Sequence, residues 1–496
     1  RCGAVKYKVL GLCLSLLLFC GALAITALDR DNGDARIHQH LTARQPDAGC
    51  SCSGSELCTH LPLVLIDTGG QPIPGEPTDQ SYDGETTFTT TATGESMLAV
   101  SVAVLEDESQ NHHPSDEPDL ESPALIRVRG NSSRYFDKKS YLLRFTEEDG
   151  SYADHPVMGM ASHYEWALYG PYLDKSLIRN YMWYNIAGEI MDYAPNVRFC
   201  EVLINGEYQG LYLMVETITN GEDCRVNVSE PIDNTLSTGY VLRLDRGSAT
   251  ELKNLNNFTY YTYRIGQLHS ILVNIAYPRS GSLTQELADA IEQELSDFEK
   301  SLYSYDYDSQ FYGYETWIDV QSFVDYFILN EFTCNYDAGT LSTYLYKDIR
   351  GKYKMCIWDF NSACENYNHL TTQPHHFEIQ NTIWYYMLTK DDAFVERIID
   401  RYHQLRESWL SDAYLQNYID ETIAYLGGAI DRNFQVWGYS FESYRPLQPE
   451  GRNPDSYEEA VEQLKDFCIQ RGAWMDEHID TLRQYSHPSK NKKFNH

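Results

Sequence analysis

Apolar positions in the first half of the chain recur with the period of strands. Leu61 to Ile66 is a short apolar run, and Met97 to Leu105 alternates apolar with polar residues. Leu125–Val128, Ser140–Phe145 and Tyr240–Leu244 read as further strands. Val197–Ile204 and Tyr208–Val215 flank Asn205-Gly206, the dipeptide of a two-residue hairpin turn. Helical periodicity appears between these runs and then takes over. Leu177–Ile190 is expected to be a helix capped by Asp174. Leu287, Ile291, Leu295, Phe298 and Leu302 fall on one helical face, and Val320, Phe323, Val324, Phe327 and Phe332 on another. Val395, Ile398, Ile399, Tyr402, Leu405 and Trp409 make a third. Strands first and helices later predict an α+β domain over 61–485, strand-rich over 61–280 and mostly helical over 281–485.

The ends follow other rules. Val9 to Leu28 carries no charge, and Arg1, Lys6 and Lys8 precede it. Residues 1–28 are therefore expected to be a signal peptide or a membrane anchor, with the rest of the chain outside the cytoplasm. Residues 29–60 are polar and read as a linker; 486–496 read as a basic disordered tail. The acidic loop 106–121 holds His112 and His113 and is expected to be solvated.

Charge narrows the function. The chain has 72 acidic against 39 basic residues, a formal net charge of −33. Such a surface repels nucleic acid and anionic membrane, so a nucleic-acid partner is excluded and membrane contact is confined to the N-terminal segment. The 12 cysteines suit an exported protein with disulfides. Cys50-x-Cys52 with Cys58 lacks a second pair at zinc spacing, so disulfides are favoured there over metal.

Against the acidic whole, Arg127, Arg129, Arg134, Lys138, Lys139 and Arg144 lie close together with Asp137 as their one acid. Within that stretch, Arg129-Gly130-Asn131-Ser132-Ser133 follows a strand. A glycine lets the backbone approach an anion, and the N–H and hydroxyl groups after it can donate to phosphate. Lys139 can reach a phosphate as a point charge, and Glu216, ending the second hairpin strand, can hold it there. Asp337 lies in a loop after an apolar helix, and Asp359 follows the apolar strand Met355–Trp358. Asp359, with Asn361 beside it, suits a hard cation, and Asp337 suits orienting or deprotonating a hydroxyl.

Taken in order, Arg129 to Ser133, Lys138-Lys139-Ser140-Tyr141, Asp174 to Asn180, Asn205-Gly206 to Glu216, Asn335-Tyr336-Asp337, Tyr344 to Asp348 and Trp358-Asp359-Phe360 resemble the CotH kinase family of spore-coat-type atypical protein kinases. The ordered match spans roughly residues 61 to 440. The resemblance implies a divergent protein-kinase-like fold that binds ATP and Mg²⁺ and phosphorylates Ser or Thr of a protein. It gives Lys139 the phosphate-contacting role, Asp337 the catalytic aspartate role and Asp359 the metal role. The chain departs from the family pattern at Ser342, where many members have Asn, and at Asn361, where many have a second Asp. A surface or coat protein that uses the same fold for interaction, with weak or no catalysis, is the alternative reading.

Overall fold

The computed structural model describes residues 50, 52, 54, 56–78, 87–221, 225–245, 252, 272–367 and 375–487. The expected N-terminal segment 1–28, the linker as far as residue 49 and the tail from 488 lie outside the described residues. Among the described residues, no helix is long and apolar enough to cross a membrane.

The strand periodicity builds a closed barrel. Its strands are β1 (Leu63–Asp67), β2 (Leu98–Leu105), β3 (Leu120–Arg129), β4 (Ser140–Phe145), β7 (Glu165–Tyr169), β8 (Val197–Ile204) and β9 (Glu207–Glu216). They run in the order β1-β2-β3-β4-β7-β9-β8, and β1 closes the ring by pairing in parallel with β8. The short strands β5 (His155–Val157) and β6 (Met160–His163) form a separate ribbon. Along β9, Tyr212 and Met214 point into the barrel core, while Leu211, Leu213 and Val215 join the larger core outside it. Both faces are buried, which explains the long apolar runs. At the β8–β9 turn Asn205 and Gly206 both have positive φ, 52° and 80°, as the two-residue hairpin requires.

A second, antiparallel sheet has the order β11-β10-β12-β13. It contains β10 (Tyr240–Asp245), β11 (Leu272–Tyr277), β12 (Thr343–Lys347) and β13 (Lys354–Cys356). The helices that position the site are α1 (Arg179–Ile190), α2 (Gln285–Leu302) and α3 (Val320–Phe332). Thr284 caps α2 by accepting the N–H of Leu287, and Asp319 caps α3 by accepting that of Ser322. Every residue of α3 except Gln321 is buried, so this helix is central rather than one-sided. Helices α4 (Asp392–Arg406), α5 (Asp412–Leu426), α6 (Gly428–Trp437) and α7 (Tyr457–His478) complete the C-terminal half. The molecule is thus α+β, with the helices gathered mostly in the second half. Cys200, Cys334, Cys356, Cys364 and Cys468 are buried, and no disulfide forms among the described residues.

The two halves meet where α6 lies on β9. Asn433 Oδ1 accepts from Lys138 Nζ at 2.6 Å and from the Leu211 N–H at 3.1 Å. Gly210 makes that approach possible: its φ is +104°, and a Cβ there would lie 2.6 Å from Asn433 Oδ1.

Candidate active site

A cleft of about 1170 Å³ runs between the barrel, the second sheet and the loops after α3 and β13. Arg129, Gly130, Asn131, Ser132, Asp337, Asp359 and Asn361 all line it. The structure therefore brings together the glycine turn and both aspartate loops, which are far apart in sequence.

Each loop is held from below. Asn180 and Tyr184, one turn apart on α1, reach the Asp359 loop: Asn180 Oδ1 accepts the N–H of Phe360 at 2.7 Å, and Tyr184 Oη accepts that of Asp359 at 3.0 Å. Arg179 donates through Nε to the Ala363 carbonyl at 3.1 Å, bracing the same loop from its far end. Asp174 accepts the Arg179 N–H at 2.9 Å and forms an ion pair with its guanidinium at 2.5 Å. Its role is structural, bracing the start of α1; the helix begins at Arg179 with Ile178 at the N-cap position, not at the expected Leu177 with Asp174 as its cap. Asn335 ties the two loops together, donating through Nδ2 to the Asp359 carbonyl at 3.3 Å. Asp337 folds its own loop back: its carbonyl accepts the N–H groups of Thr340 and Leu341 at 3.1 and 2.8 Å. Cys334, Ser342 and Asp359 all have positive φ without being glycine, a strained backbone of the kind that gathers at functional sites.

The Gly130 turn is equally specific. Gly130 has φ +108°, and a Cβ there would lie 1.8 Å from Ser133 Oγ. Arg134 stabilises the turn by donating through Nε to the Gly130 carbonyl at 2.6 Å.

The cleft wall is cationic. Arg127, Arg129, Arg134, Arg144, Arg243 and Arg279 line it against Glu165, Asp245, Asp337 and Asp359. Burial, then Arg144 and Arg129, lowers the Arg127 pKa; burial, then Arg127 and Arg129, lowers that of Arg134 to about 10. These guanidiniums stay charged and repel one another, a strain that an anion in the cleft relieves. Glu165 holds two of them, with Arg144 Nε at 2.8 Å and Arg279 Nη2 at 3.0 Å. Burial would raise the Glu165 pKa, but Arg279 and Arg144 outweigh it and bring it down to about 2. Burial raises the Asp359 pKa, opposed by Arg129. Arg129 itself sits 5.6 Å from the centre of the Trp358 ring.

Two sequence expectations part company with this geometry. Lys139 does not line the cleft among the described residues; its Nζ donates to the Arg134 carbonyl at 2.9 Å and lies 3.6 Å from Glu76. Glu216 is fully buried, accepting the N–H of Asn196 at 3.0 Å. The expected Lys139–Glu216 pair is absent because β7 lies between β4 and β9, setting Trp166 opposite Glu216. Arg144, Arg279 and Glu165 occupy the wall instead, and sequence reasoning gave none of them a role of its own. A signal existed for part of the wall: Arg127 and Arg129 on β3, and Arg243 and Asp245 on β10, are spaced two apart in apolar strands and so share a face.

Fold and site together define an α+β protein with an arginine-walled cleft that presents two loop aspartates. The chain belongs to the CotH family: the family model described as CotH kinase protein matches residues 126–475, more than two-thirds of its length. The resemblance read from the sequence therefore stands. No curated protein matches the chain.

Proposed function

We propose that the protein is a kinase of the CotH type that transfers the γ-phosphoryl group of ATP to a Ser or Thr hydroxyl of another protein, on a divergent kinase-like fold. One observation carries this reading: in a chain of net charge −33, arginines converge on a cleft that also holds Asp337 and Asp359. A polyphosphate is the ligand such a wall fits, since phosphoryl transfer depends on positioning and on charge stabilisation.

The donor set suits Mg²⁺. Asp359 is a half-buried carboxylate whose ionised form is disfavoured by its partial removal from water, and a hard cation in the cleft restores that balance. Asn361, two residues on, adds an amide oxygen with lone-pair capacity beyond its bond from Ser362 Oγ. Mg²⁺, when bound, supplies positive charge against the nucleotide phosphate oxygens. Arg129 and the turn Gly130–Ser132 contact the phosphates, and Arg144, Arg127 and Arg279 balance the rest of their charge. Asp337 orients the acceptor hydroxyl and accepts its proton. The acceptor is a surface or coat protein met outside the cytoplasm, in keeping with the apolar segment Val9–Leu28 and its flanking lysines.

The test is Mg²⁺-dependent ATP binding and phosphoryl transfer by the full chain, beside Asp359→Ala and Asp337→Ala. Asp359→Ala is expected to lose Mg²⁺-dependent binding. Asp337→Ala is expected to bind ATP and transfer about 10²–10⁴-fold more slowly. A second reading, an interaction protein without catalysis, is favoured by one observation: no lysine lines the cleft among the described residues. A folded chain that neither binds ATP nor transfers phosphate selects that reading.

A further inference from the structure

Away from the cleft, and outside the span 126–475 that marks the family, four potential ligands converge. The thiols of Cys50, Cys52 and Cys58 and the imidazole of His113 have their ligand atoms all within 4.8 Å of one another. We propose that they form a structural zinc site of the Cys₃His type, which fastens the N-terminal linker to the loop between β2 and β3.

The arrangement has the parts a zinc site needs. Tetrahedral Zn–S bonds of about 2.3 Å set ligand atoms roughly 3.5–4 Å apart. Cys50 Sγ and His113 Nε2 are 3.6 Å apart. His113 turns its other nitrogen, Nδ1, to Asp116 Oδ2 at 3.0 Å, and the backbone N–H of His113 reaches the same oxygen at 2.8 Å. A carboxylate on Nδ1 fixes the ring and keeps the Nε2 lone pair for a metal. Asn111 Nδ2 donates to Cys58 Sγ at 3.3 Å, the kind of outer contact that supports a thiolate.

The backbone explains how residues so far apart meet. Thr59 and His112 form an antiparallel bridge, with N–H to carbonyl distances of 3.1 and 2.7 Å. That bridge sets their neighbours, Cys58 and His113, side by side. His112 is occupied elsewhere, bonding the Leu61 carbonyl at 2.8 Å, so His113 is the ligand of the pair. Four protein ligands leave no open position, which makes the site structural rather than catalytic. A disulfide accounts less well for the cluster: it uses two sulfurs and leaves the third, the imidazole and the Asp116 contact without a purpose. The sequence expectation of disulfides at these cysteines, and of a merely solvated His113, gives way to this arrangement.

The experiment is metal analysis of the full chain purified without chelator or added reductant. Stoichiometric zinc is expected, lost in Cys58→Ser and His113→Ala. Asp116→Asn should retain the site but bind zinc roughly 10–100-fold more weakly in chelator competition. Because a ligand variant can fail to fold, cobalt replaces zinc in the unaltered chain: a tetrahedral cobalt spectrum with thiolate charge-transfer bands supports the site. Metal well below stoichiometry, an octahedral cobalt spectrum, or a mapped disulfide between any two of the three cysteines overturns it.

Discussion

Glu165 in the barrel and Glu331 in the helical half are both buried and both held by arginine. Glu331 pairs with Arg471 at 2.7 Å, with both side chains 0% exposed. Its carboxylate also accepts the N–H groups of Glu378 and Ile379 at 2.6 and 2.7 Å, and Arg471 Nη1 donates to the His376 carbonyl at 2.6 Å. The cluster closes on itself and pins the end of α3, from which the Asp337 loop departs. Glu165 is 9% exposed, but its partners Arg144 and Arg279 are 23% and 34% exposed and face the cleft. The contrast shows what separates a brace from a binding wall. Both are buried charge; only one keeps cations turned toward open volume.

The comparison breaks first at Arg471. Arg471→Ala leaves Glu331 buried without its cation and is expected to cost about 3–5 kcal/mol of stability, read by urea denaturation. A loss under about 1 kcal/mol would mean that the cluster braces nothing.

Acid sharpens the other side. The folded-state pKa of Glu165, about 2, lies below its ordinary value of 4.5. Its stabilising contribution is therefore fully present above pH 4.5 and is lost as the pH falls toward about 2. Glu165→Gln is expected to flatten the stability–pH curve in that window, and an unchanged slope would remove the ion pair from the account.

A smaller effect separates the cleft from the basic edge beside it. Arg129→Ala is expected to weaken ATP binding about tenfold or more, the worth of a charge-assisted hydrogen bond. Lys139→Ala, removing a cation that faces Glu76 near the surface, is expected to change ATP affinity by less than about twofold and stability by less than about 1 kcal/mol. Isothermal titration of both variants checks this, and a reversal of the two effects would restore the phosphate role to Lys139.

Much of this was legible in the chain. The Asn205-Gly206 hairpin, β4, α2 and α3 follow from period and caps, because local pattern and tertiary burial agree there. β7 escaped because Glu165–Tyr169 is buried throughout and so does not alternate. β3 starts at Leu120, inside the stretch expected to be a loop, since its first residues include the acidic Glu121 and then Pro123. In the site, the Gly130 turn, Asp337 and Asp359 each sit where an apolar run stops, and that break is visible in one dimension. Partnership is not: whether Lys139 meets Glu216 depends on which strand lies between theirs, and strand order is a property of the closed barrel. Cys58 and His113 are likewise neighbours only through the bridge at Thr59 and His112.

The parallel seam between β1 and β8 makes the smallest self-sufficient piece of this protein longer than its family signature. β1 and β2 end at Leu105, before residue 126 where that signature begins. A fragment trimmed to the signature loses both strands and part of β3, so the ring opens. β8 and the remainder of β3 then offer bare rows of N–H and C=O groups, and water reaches the inner side chains Leu143 and Trp166. Exposed edges of that kind recruit other chains into sheets. Insolubility of such a fragment reports a missing pair of staves, and carries no information about what the intact molecule catalyses.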